Sequence, residues 1–275
     1  MEKLDKRVIG LITDFGIKGQ HYVSSMKGVI LNINPEVYVV DISHSITPFS
    51  IVEASYILNT TYKYYPKRTV FVIVVDPGVG SSREILAIKS ASGYYFVGPN
   101  NGIFQSILES DEILECVEIK NEDYFVKPTS TTFHGRDIMA PIAANITKDI
   151  PLVNFGVKID KSRIISLPIE FKKGSDRKIK CTVQYIDEFG NIITNFRPSS
   201  IPLKDGDTIK VILGHIEISG KFVHFFENVA INSTLFLIGS TGFLELSKNR
   251  GNAALDFGIN VGDIITVILP EVNEK

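Results

Sequence analysis

The sequence contains no tryptophan, no long hydrophobic run and no marked excess of one charge. Its 29 basic and 31 acidic side chains leave a formal net charge of −2, and neither sign forms a long run, which argues against a nucleic-acid or anionic-membrane partner. No segment approaches the roughly 18 uninterrupted apolar residues that a membrane-spanning helix needs, and the first residues lack the apolar core of a signal peptide. These absences predict a cytoplasmic protein.

Cysteine is also scarce, with only Cys116 and Cys181 among the 275 residues. The two are far apart and have no metal-type spacing, so we expect two buried, reduced thiols. The five histidines form neither an H-x-x-x-H nor an H-E-x-x-H pattern. The sequence therefore predicts no metal site.

The first part of the chain alternates strand-like and helix-like segments with short connections, through about residue 168. This alternation indicates an α/β domain with a largely parallel central sheet over residues 1–168. From Lys178 onward the chain consists of short β-type runs punctuated by glycine, which predicts an all-β, barrel-like domain over residues 177–275. The boundary is expected at residues 168–177, around the polar stretch Phe171–Asp176.

Asp76 directly follows Val70–Val75, an apolar run typical of a strand buried on both faces. Asp14 follows the first strand-like segment of the chain in the same way. Ligands of open α/β sheets bind at the carboxyl ends of the strands, so both carboxylates are expected to face one crevice. Each aspartate could equally cap a turn, but together with Arg83 and His134 they indicate a functional site.

The glycines after Asp76 allow two interpretations. Gly78 and Gly80 resemble part of a phosphate-cradling loop, but the P-loop lysine with its Ser/Thr and the G-x-G-x-x-G fingerprint are both missing. The alternative is that they let the backbone turn sharply and approach a ligand closely. His134 lies in the loop Thr132–Asp137, just before a helix, where either a catalytic or a structural role is open.

In the second domain, Tyr185–Asn195 (YIDEFGNIITN) interrupts a strand with two asparagines and a glycine. A hairpin turn and a binding site are both compatible with this spacing. The stretches Gly239–Glu245 and Asn249–Ala254 could form a loop whose backbone amides recognise a small polar group. The pair Phe225-Phe226 could stack on a flat ring or belong to the core.

Nine segments, taken in order along the chain, resemble those of one family: ITDFG, INPE, DISHSITPF, VVDPGVGSSR, VGPNNGIF, TFHGRD, YIDEFGNIITN, GSTGFLELS and GNAA. It is the family of S-adenosyl-L-methionine (SAM) hydrolases that release adenosine, also called SAM hydroxide adenosyltransferases, which are related to the fluorinase and chlorinase. The resemblance implies an N-terminal α/β domain, a C-terminal β-barrel-like domain and a homotrimer with its sites at subunit interfaces. It implies no cofactor and no metal, because SAM is the substrate.

The resemblance also implies residue roles. In the family an Asp–Arg–His set positions and activates the water that displaces methionine from C5′ of SAM, and these roles fall on Asp76, Arg83 and His134. Which of Asp76 and His134 is the base stays open. The implied substrate contacts are Asp14 with the ribose diol, Phe49 near the ribose and C5′, Asp187 with the methionine ammonium, Asn191 with the adenine edge, Phe225 or Phe226 with the adenine face, Ser240 with the methionine carboxylate, and the Ala253 backbone with adenine.

Two departures from the halogenase relatives predict hydrolysis rather than halogenation. Those relatives carry a tyrosine where this chain has Asp76, and a small hydroxyl residue near Gly135. A fixed carboxylate repels a halide ion but holds water well. The alternatives are a halide-dependent SAM enzyme that makes a 5′-halo-5′-deoxyadenosine, and a non-catalytic sensor of SAM or adenosine.

Overall fold

The computed structural model describes residues 7–167, 169–174, 177–198, 201 and 203–270. The chain divides into two compact units, Met1–Leu167 and Pro168–Lys275, and this architecture has the predicted fold class. The boundary expected at residues 168–177 includes Pro168, Ser175 and Asp176, which lie outside the described residues. The polar stretch between them contains a short strand, Phe171–Lys173.

The first unit is built on a seven-stranded sheet with the order β2-β1-β3-β5-β4-β6-β7. The sheet is mixed, because β1, β2, β3 and β5 pair in parallel whereas β4, β6 and β7 add antiparallel pairings. The strands are β1 (Val8–Thr13), β2 (Tyr38–Ser43), β3 (Val70–Val74), β4 (Ile85–Ser90), β5 (Tyr95–Pro99), β6 (Ile113–Ile119) and β7 (Gly156–Lys158).

Helices cover both faces of this sheet. They are α1 (Gln20–Ile33), α2 (Ile51–Thr61), α3 (Gln105–Ser110) and α4 (Ala140–Thr147). One apolar cluster joins α1 and α4 to the sheet, and a second joins α2 and α3 to the opposite face. All five residues of β3 are buried, as the unbroken apolar run of a two-sided central strand predicts. The unit is thus a three-layer α/β/α sandwich.

The second unit is a closed barrel of seven strands. Hydrogen bonding runs β10-β14-β13-β12-β11-β15-β9, and a further pairing of β10 with β9 closes the ring. Its strands are β9 (Lys178–Ile186), β10 (Ile192–Thr194), β11 (Thr208–Leu213), β12 (Ile216–Phe222), β13 (Thr234–Ile238), β14 (Leu244–Lys248) and β15 (Ile264–Ile268), with β8 (Phe171–Lys173) flanking β9 and a short helix α5 (Ala253–Phe257). Closure removes the exposed strand edges of an open sheet.

Both cysteines are buried and free, as predicted. Burial raises the pKa of the Cys116 thiol and of the Cys181 thiol to about 12, so both stay protonated and unreactive at neutral pH. Within the described residues no helix is long and apolar enough to cross a membrane.

Candidate active site

The two strand-end aspartates leave the same edge of the first unit's sheet. Strands β1 and β3 are adjacent and parallel, and their last residues, Thr13 and Val74, lie side by side. Asp14 is the next residue after β1, and Asp76 comes two residues after β3. The prediction that both aspartates follow strands of one sheet is confirmed.

Asp76 and Arg83 form an ion pair within the loop that follows β3. The Asp76 side chain is only 6% exposed, and its Oδ1 lies 2.9 Å from the Arg83 Nε. The same oxygen accepts a hydrogen bond of 2.9 Å from the Gly78 backbone N–H. The Arg83 Nε–H is not aligned for a hydrogen bond, but its Nη1 donates to the Asn100 carbonyl at 3.3 Å. The carboxylate is therefore held beside a fixed positive charge.

Both glycines of this loop lie close to other groups, so that a side chain on either one would displace a neighbour. A Cβ atom on Gly78 would lie 2.7 Å from the Arg83 Nη2. Gly80 adopts a φ of 81°, and a Cβ there would collide with the Thr131 carbonyl oxygen. The glycines thus permit close approach of the arginine and of a second loop.

The second loop carries His134, which is half-buried. It contacts both the end of β3 and the loop that follows, because a Cβ on Gly135 would lie 2.9 Å from the Val74 Cγ1 and because Thr131 packs on Gly80. Gly135 also begins a five-residue π-helical turn, Gly135–Met139, that leads into α4. A π-helical turn of this kind is an irregularity common at functional sites.

A buried carboxylate anchors the His134 loop from below. Asp137 is fully buried and receives hydrogen bonds from the Arg136 Nε at 2.6 Å and the Ser130 backbone N–H at 2.8 Å. Burial raises the pKa of Asp137, but the hydrogen bonds from Arg136 and Ser130 outweigh it and hold this pKa below its ordinary value. The loop is thus closed on an ionised, fully bonded group.

An aromatic cluster joins the His134 loop to the loop that carries Asp14. Phe133 packs edge-on against Phe15, with ring centroids 5.9 Å apart, and against Tyr22 at 5.1 Å. Phe15 and Tyr22 lie 5.4 Å apart. Because Phe133 precedes His134 and Phe15 follows Asp14, the cluster ties together the two loops that hold the implied site residues.

Asp14 holds the Phe49 loop through its carboxylate. Its Oδ2 accepts a hydrogen bond of 2.9 Å from the Phe49 backbone N–H. Phe49 has a φ of 70° and is 66% exposed, a strained and unburied arrangement for an aromatic residue. The loop ends at Ser50, which caps α2 by accepting from the Glu53 N–H, while the Glu53 carboxylate accepts from the Thr47 N–H at 3.1 Å.

In the second unit, Asp187 orients Asn191. The Asp187 Oδ1 accepts from the backbone N–H groups of Phe189 and Asn191, at 3.0 and 2.9 Å. Its Oδ2 accepts from the Asn191 side-chain Nδ2 at 2.8 Å. Because a carboxylate only accepts hydrogen bonds, this contact must use the Asn191 Nδ2–H, which fixes the orientation of the Asn191 amide. The Asn191 Oδ1 then remains available as an acceptor. The hairpin turn is therefore present, and it contains Asp187 and Asn191, the two residues for which the family resemblance implies substrate contacts.

An open groove of about 1300 Å³ lies beside this turn. Asp187, Asn191, Phe225 and Phe226 all line it. Phe225 is 66% exposed and Phe226 38%, so these rings belong to the groove and not to the core. Phe189, which the sequence did not single out, is 77% exposed and lines the same groove. Exposed aromatic rings around a polar turn are typical of a ligand site.

Ala253 lies beside the turn, whereas Ser240 lies on a separate one. Gly190 packs so closely on Asn252 that a Cβ would collide with its side chain, and the Ala254 N–H donates to the Gly190 carbonyl at 3.0 Å. Ala253, between Asn252 and Ala254, is fully buried. Ser240 is exposed in the turn between β13 and β14 and does not line the groove.

The sequence analysis gave no individual role to three further residues at these sites. Glu245 of β14 places its carboxylate where a side chain on Gly239 would otherwise stand. Burial and, to a smaller degree, the negative charge of Asp187 raise the pKa of Glu245 to about 7. Asn101 is buried, and its side-chain Nδ2 donates to the Val75 carbonyl at 2.9 Å. The Asn100 carbonyl accepts the hydrogen bond from the Arg83 Nη1. The available signal for both asparagines was their position directly after β5.

The described residues contain no group of three or more His, Cys, Asp or Glu side chains that could hold a metal ion.

The chain thus combines an α/β/α unit with a closed β-barrel unit. The model of the SAM hydroxide adenosyltransferase N-terminal domain matches residues 9–156, and that of the C-terminal domain matches residues 181–266. The chain therefore belongs to the SAM hydroxide adenosyltransferase family.

Individual proteins show the same relationship. A protein of Methanocaldococcus jannaschii named (R)-S-adenosyl-L-methionine hydrolase is 41% identical over 271 residues, 95% of each chain. A fluorinase of Actinopolyspora mzabensis is 22% identical over 298 residues, 97% of this chain and 98% of its own. The crystal structure of an uncharacterized conserved protein from Thermotoga maritima matches with a TM-score of 0.87 and 34% identity, covering 94% of this chain and 99% of that one.

Proposed function

We propose that this protein hydrolyses SAM to adenosine and L-methionine. The observation that carries the proposal is the buried Asp76 carboxylate, paired with Arg83 at the carboxyl end of the central strand, in a chain of this family. A carboxylate in this place suits water rather than a halide ion as the nucleophile. The relative at 41% identity, which carries the name of a hydrolase, supports the same conclusion.

The reaction is an in-line displacement at C5′. The water oxygen forms a bond to C5′ while the C5′–S bond breaks and its electron pair goes to sulfur, so methionine departs as a neutral thioether. The water proton passes to Asp76 or to His134 and then to solvent. A sulfonium leaving group needs no acid and no metal, so the protein's main task is to position the water, which is worth several kcal/mol.

Asp76 and Arg83 are suited to this task by their fixed geometry. Oδ1 of the carboxylate is occupied by the Gly78 N–H and faces the guanidinium, so the carboxylate has one set orientation. Its Oδ2 accepts no hydrogen bond from the described residues, and we assign the attacking water to it. The His134 loop packs against this loop through Gly80 and Thr131, which favours His134 as the proton relay.

The substrate contacts extend this proposal to both units. Asp14 binds the ribose diol, because a carboxylate can accept from two adjacent hydroxyls, and Phe49 covers the sugar. Asn191 offers its Oδ1 to the adenine amino group, and Phe225 or Phe226 stacks on the base. The remaining proposed contacts are Asp187 with the methionine ammonium, Ser240 with the methionine carboxylate and the Ala253 backbone with adenine.

We further propose a cytoplasmic homotrimer in which each site combines the first unit of one chain with the second unit of its neighbour. The catalytic set lies in the first unit and the adenine groove in the second, so each unit carries one half of the proposed contacts. Light scattering should then give three times the chain mass of 30.5 kDa. Mixing unfolded Asp76→Asn and Asn191→Ala chains and refolding them together should restore activity at low SAM, whereas separate sites within each chain would give no recovery.

The function is tested by product chromatography after incubation with SAM in EDTA, with and without chloride. Equal amounts of adenosine and methionine, insensitive to both additions, are expected. A 5′-chloro-5′-deoxyadenosine product would instead establish the halide-dependent reaction. Tight adenosine binding without any SAM consumption would establish a sensor.

A further inference from the structure

A buried polar chain runs from the end of β1 to the protein surface. The Thr13 Oγ1 lies 2.9 Å from the His44 Nδ1, and the His44 Nε2 lies 2.9 Å from the Asp41 Oδ1. Lys27 closes the chain with an ion pair of 2.6 Å to the Asp41 Oδ2. Thr13 is fully buried, and the His44 side chain is 9% exposed. None of these four residues has a role in the reaction proposed above.

The neighbours of His44 define one tautomer of its ring. Partial burial raises the pKa of Asp41, but its contacts with Lys27 and His44 outweigh this and hold the pKa below its usual value. The anionic carboxylate favours the imidazole proton on Nε2, although the N–H direction is off the line to the oxygen. Nδ1 is then an acceptor, and the Thr13 hydroxyl donates to it. This leaves the Thr13 oxygen free to accept the Phe15 backbone N–H at 3.3 Å.

The arrangement resembles a nucleophile–histidine–carboxylate triad, but its geometry excludes that use. Thr13 has no exposed surface, so its hydroxyl cannot reach a substrate atom. Its second hydrogen bond is to the backbone two residues along the chain, which is a contact that shapes a loop. This series of polar contacts therefore acts by holding the neighbouring backbone in position.

What it positions is the loop that carries Asp14. The Thr13 hydroxyl accepts the Phe15 N–H, and the His44 carbonyl accepts the Gly16 N–H at 2.7 Å, so the backbone of the two residues that follow Asp14 is held in place. Gly16 has a φ of 65°, so the backbone turns there, and the His44 carbonyl holds this turn in place. The same β2-terminal segment continues to Phe49, whose N–H Asp14 binds.

We propose that Thr13, His44 and Asp41 form a relay that positions Asp14 for the ribose diol. His44 and Thr13 are positioning residues, since their hydrogen bonds hold the backbone of the two residues that follow Asp14. The inference rests on the proposed function through the assignment of the ribose to Asp14. It does not depend on turnover, because adenosine carries the same diol.

The test compares the affinities of adenosine and 2′,3′-dideoxyadenosine, measured by calorimetry on the full chain. The ratio of the two dissociation constants reports the diol contact alone. We expect Thr13→Val and His44→Leu to reduce this ratio about tenfold, because losing one hydrogen bond between the diol and the charged Asp14 carboxylate weakens binding by about that factor. Thr13→Ser keeps the hydroxyl and should retain the wild-type ratio.

Thr147→Val is the matched control, because Thr147 is also a buried threonine. Its hydroxyl bonds to the Asn34 side chain and to the Ala144 carbonyl, neither of which belongs to β1 or β2. This substitution should lower thermal stability and leave the ratio unchanged. An unchanged ratio in folded Thr13→Val or His44→Leu overturns the relay, as does a wild-type protein that fails to prefer adenosine. If Thr13→Val does not fold, His44→Leu makes the same comparison. Diol preference without SAM turnover would contradict the proposed function and leave the relay standing.

Discussion

Gly78 lies directly beneath the guanidinium of Arg83, with room for a hydrogen and not for a methyl group. A Cβ there would stand 2.7 Å from the Nη2 and 2.9 Å from the Nε. Gly78→Ala should therefore push the Arg83 guanidinium away from Asp76 while leaving both side chains chemically unchanged. We expect kcat for SAM hydrolysis to fall about ten- to a hundredfold, with KM nearly unchanged, in a steady-state assay of adenosine release.

Gly28→Ala provides the control for this substitution. Gly28 is an exposed residue in the middle of α1, and a Cβ there meets nothing within 4 Å. Alanine in a helix interior is about 0.5–1 kcal/mol better than glycine, so this variant should melt at a higher temperature with unchanged kcat. Full activity in Gly78→Ala would contradict the role given to the ion pair.

Asp76→Asn removes the charge of the carboxylate while retaining its shape and its bond to the Gly78 N–H. Loss of the group that orients or deprotonates the water should lower kcat about 10²–10⁴-fold. The variant should still bind SAM and adenosine, because the proposed binding residues are elsewhere. Chromatography gives the rate and calorimetry the affinity. Wild-type turnover in a folded variant would remove Asp76 from the mechanism.

The placement of Asp14 and Asp76 could be predicted because it follows from local patterns. A buried apolar strand followed by an aspartate and glycines marks the carboxyl edge of a parallel sheet, and β1 and β3 are indeed neighbours. The alternation of strand-like and helix-like segments indicated the α/β fold of the first unit, and short β-type runs punctuated by glycine indicated the barrel of the second. Such signals are carried by residues that are close in sequence.

Contacts between distant segments carried no such signal. The polar stretch Phe171–Lys173 forms β8 because it pairs with β9, and its own composition indicated a linker. The approach of Thr131 to Gly80 joins residues that are far apart in the chain. The interaction of His44 with Thr13 depends on the pairing of β1 with β2, which periodicity alone does not specify.

Asp187→Asn tests whether Asp187 acts through Asn191. An asparagine at this position can offer an N–H where the carboxylate now accepts, so the Asn191 amide loses its fixed orientation. We expect the affinity for adenosine to fall about tenfold, although adenosine has no ammonium group. If Asp187 serves only the methionine ammonium, adenosine binding will be unchanged while SAM binding weakens. Calorimetric titration with each ligand separates the two results.

Glu245 gives the second unit a pH-dependent stability. Burial and the charge of Asp187 raise its pKa from 4.5 to about 7, so between these values the folded state holds a proton that the unfolded state has released. Stability from this group is therefore present below the lower pKa and is lost as the pH rises to about 7. Glu245→Gln, which mimics the protonated form, should remove this loss.

The expected difference between Glu245→Gln and the wild type is accordingly small at pH 5 and largest at pH 8. There the variant should melt about 2–5 °C higher, since one to two kcal/mol shifts Tm by that amount in a chain of this size. Glu188→Gln, which removes an exposed carboxylate of the neighbouring turn, should leave Tm unchanged at both pH values. Calorimetric melting curves at pH 5, 6, 7 and 8 make the comparison. A difference that is constant with pH would show that Glu245 is ionised throughout, because only a group that titrates within this range produces a slope.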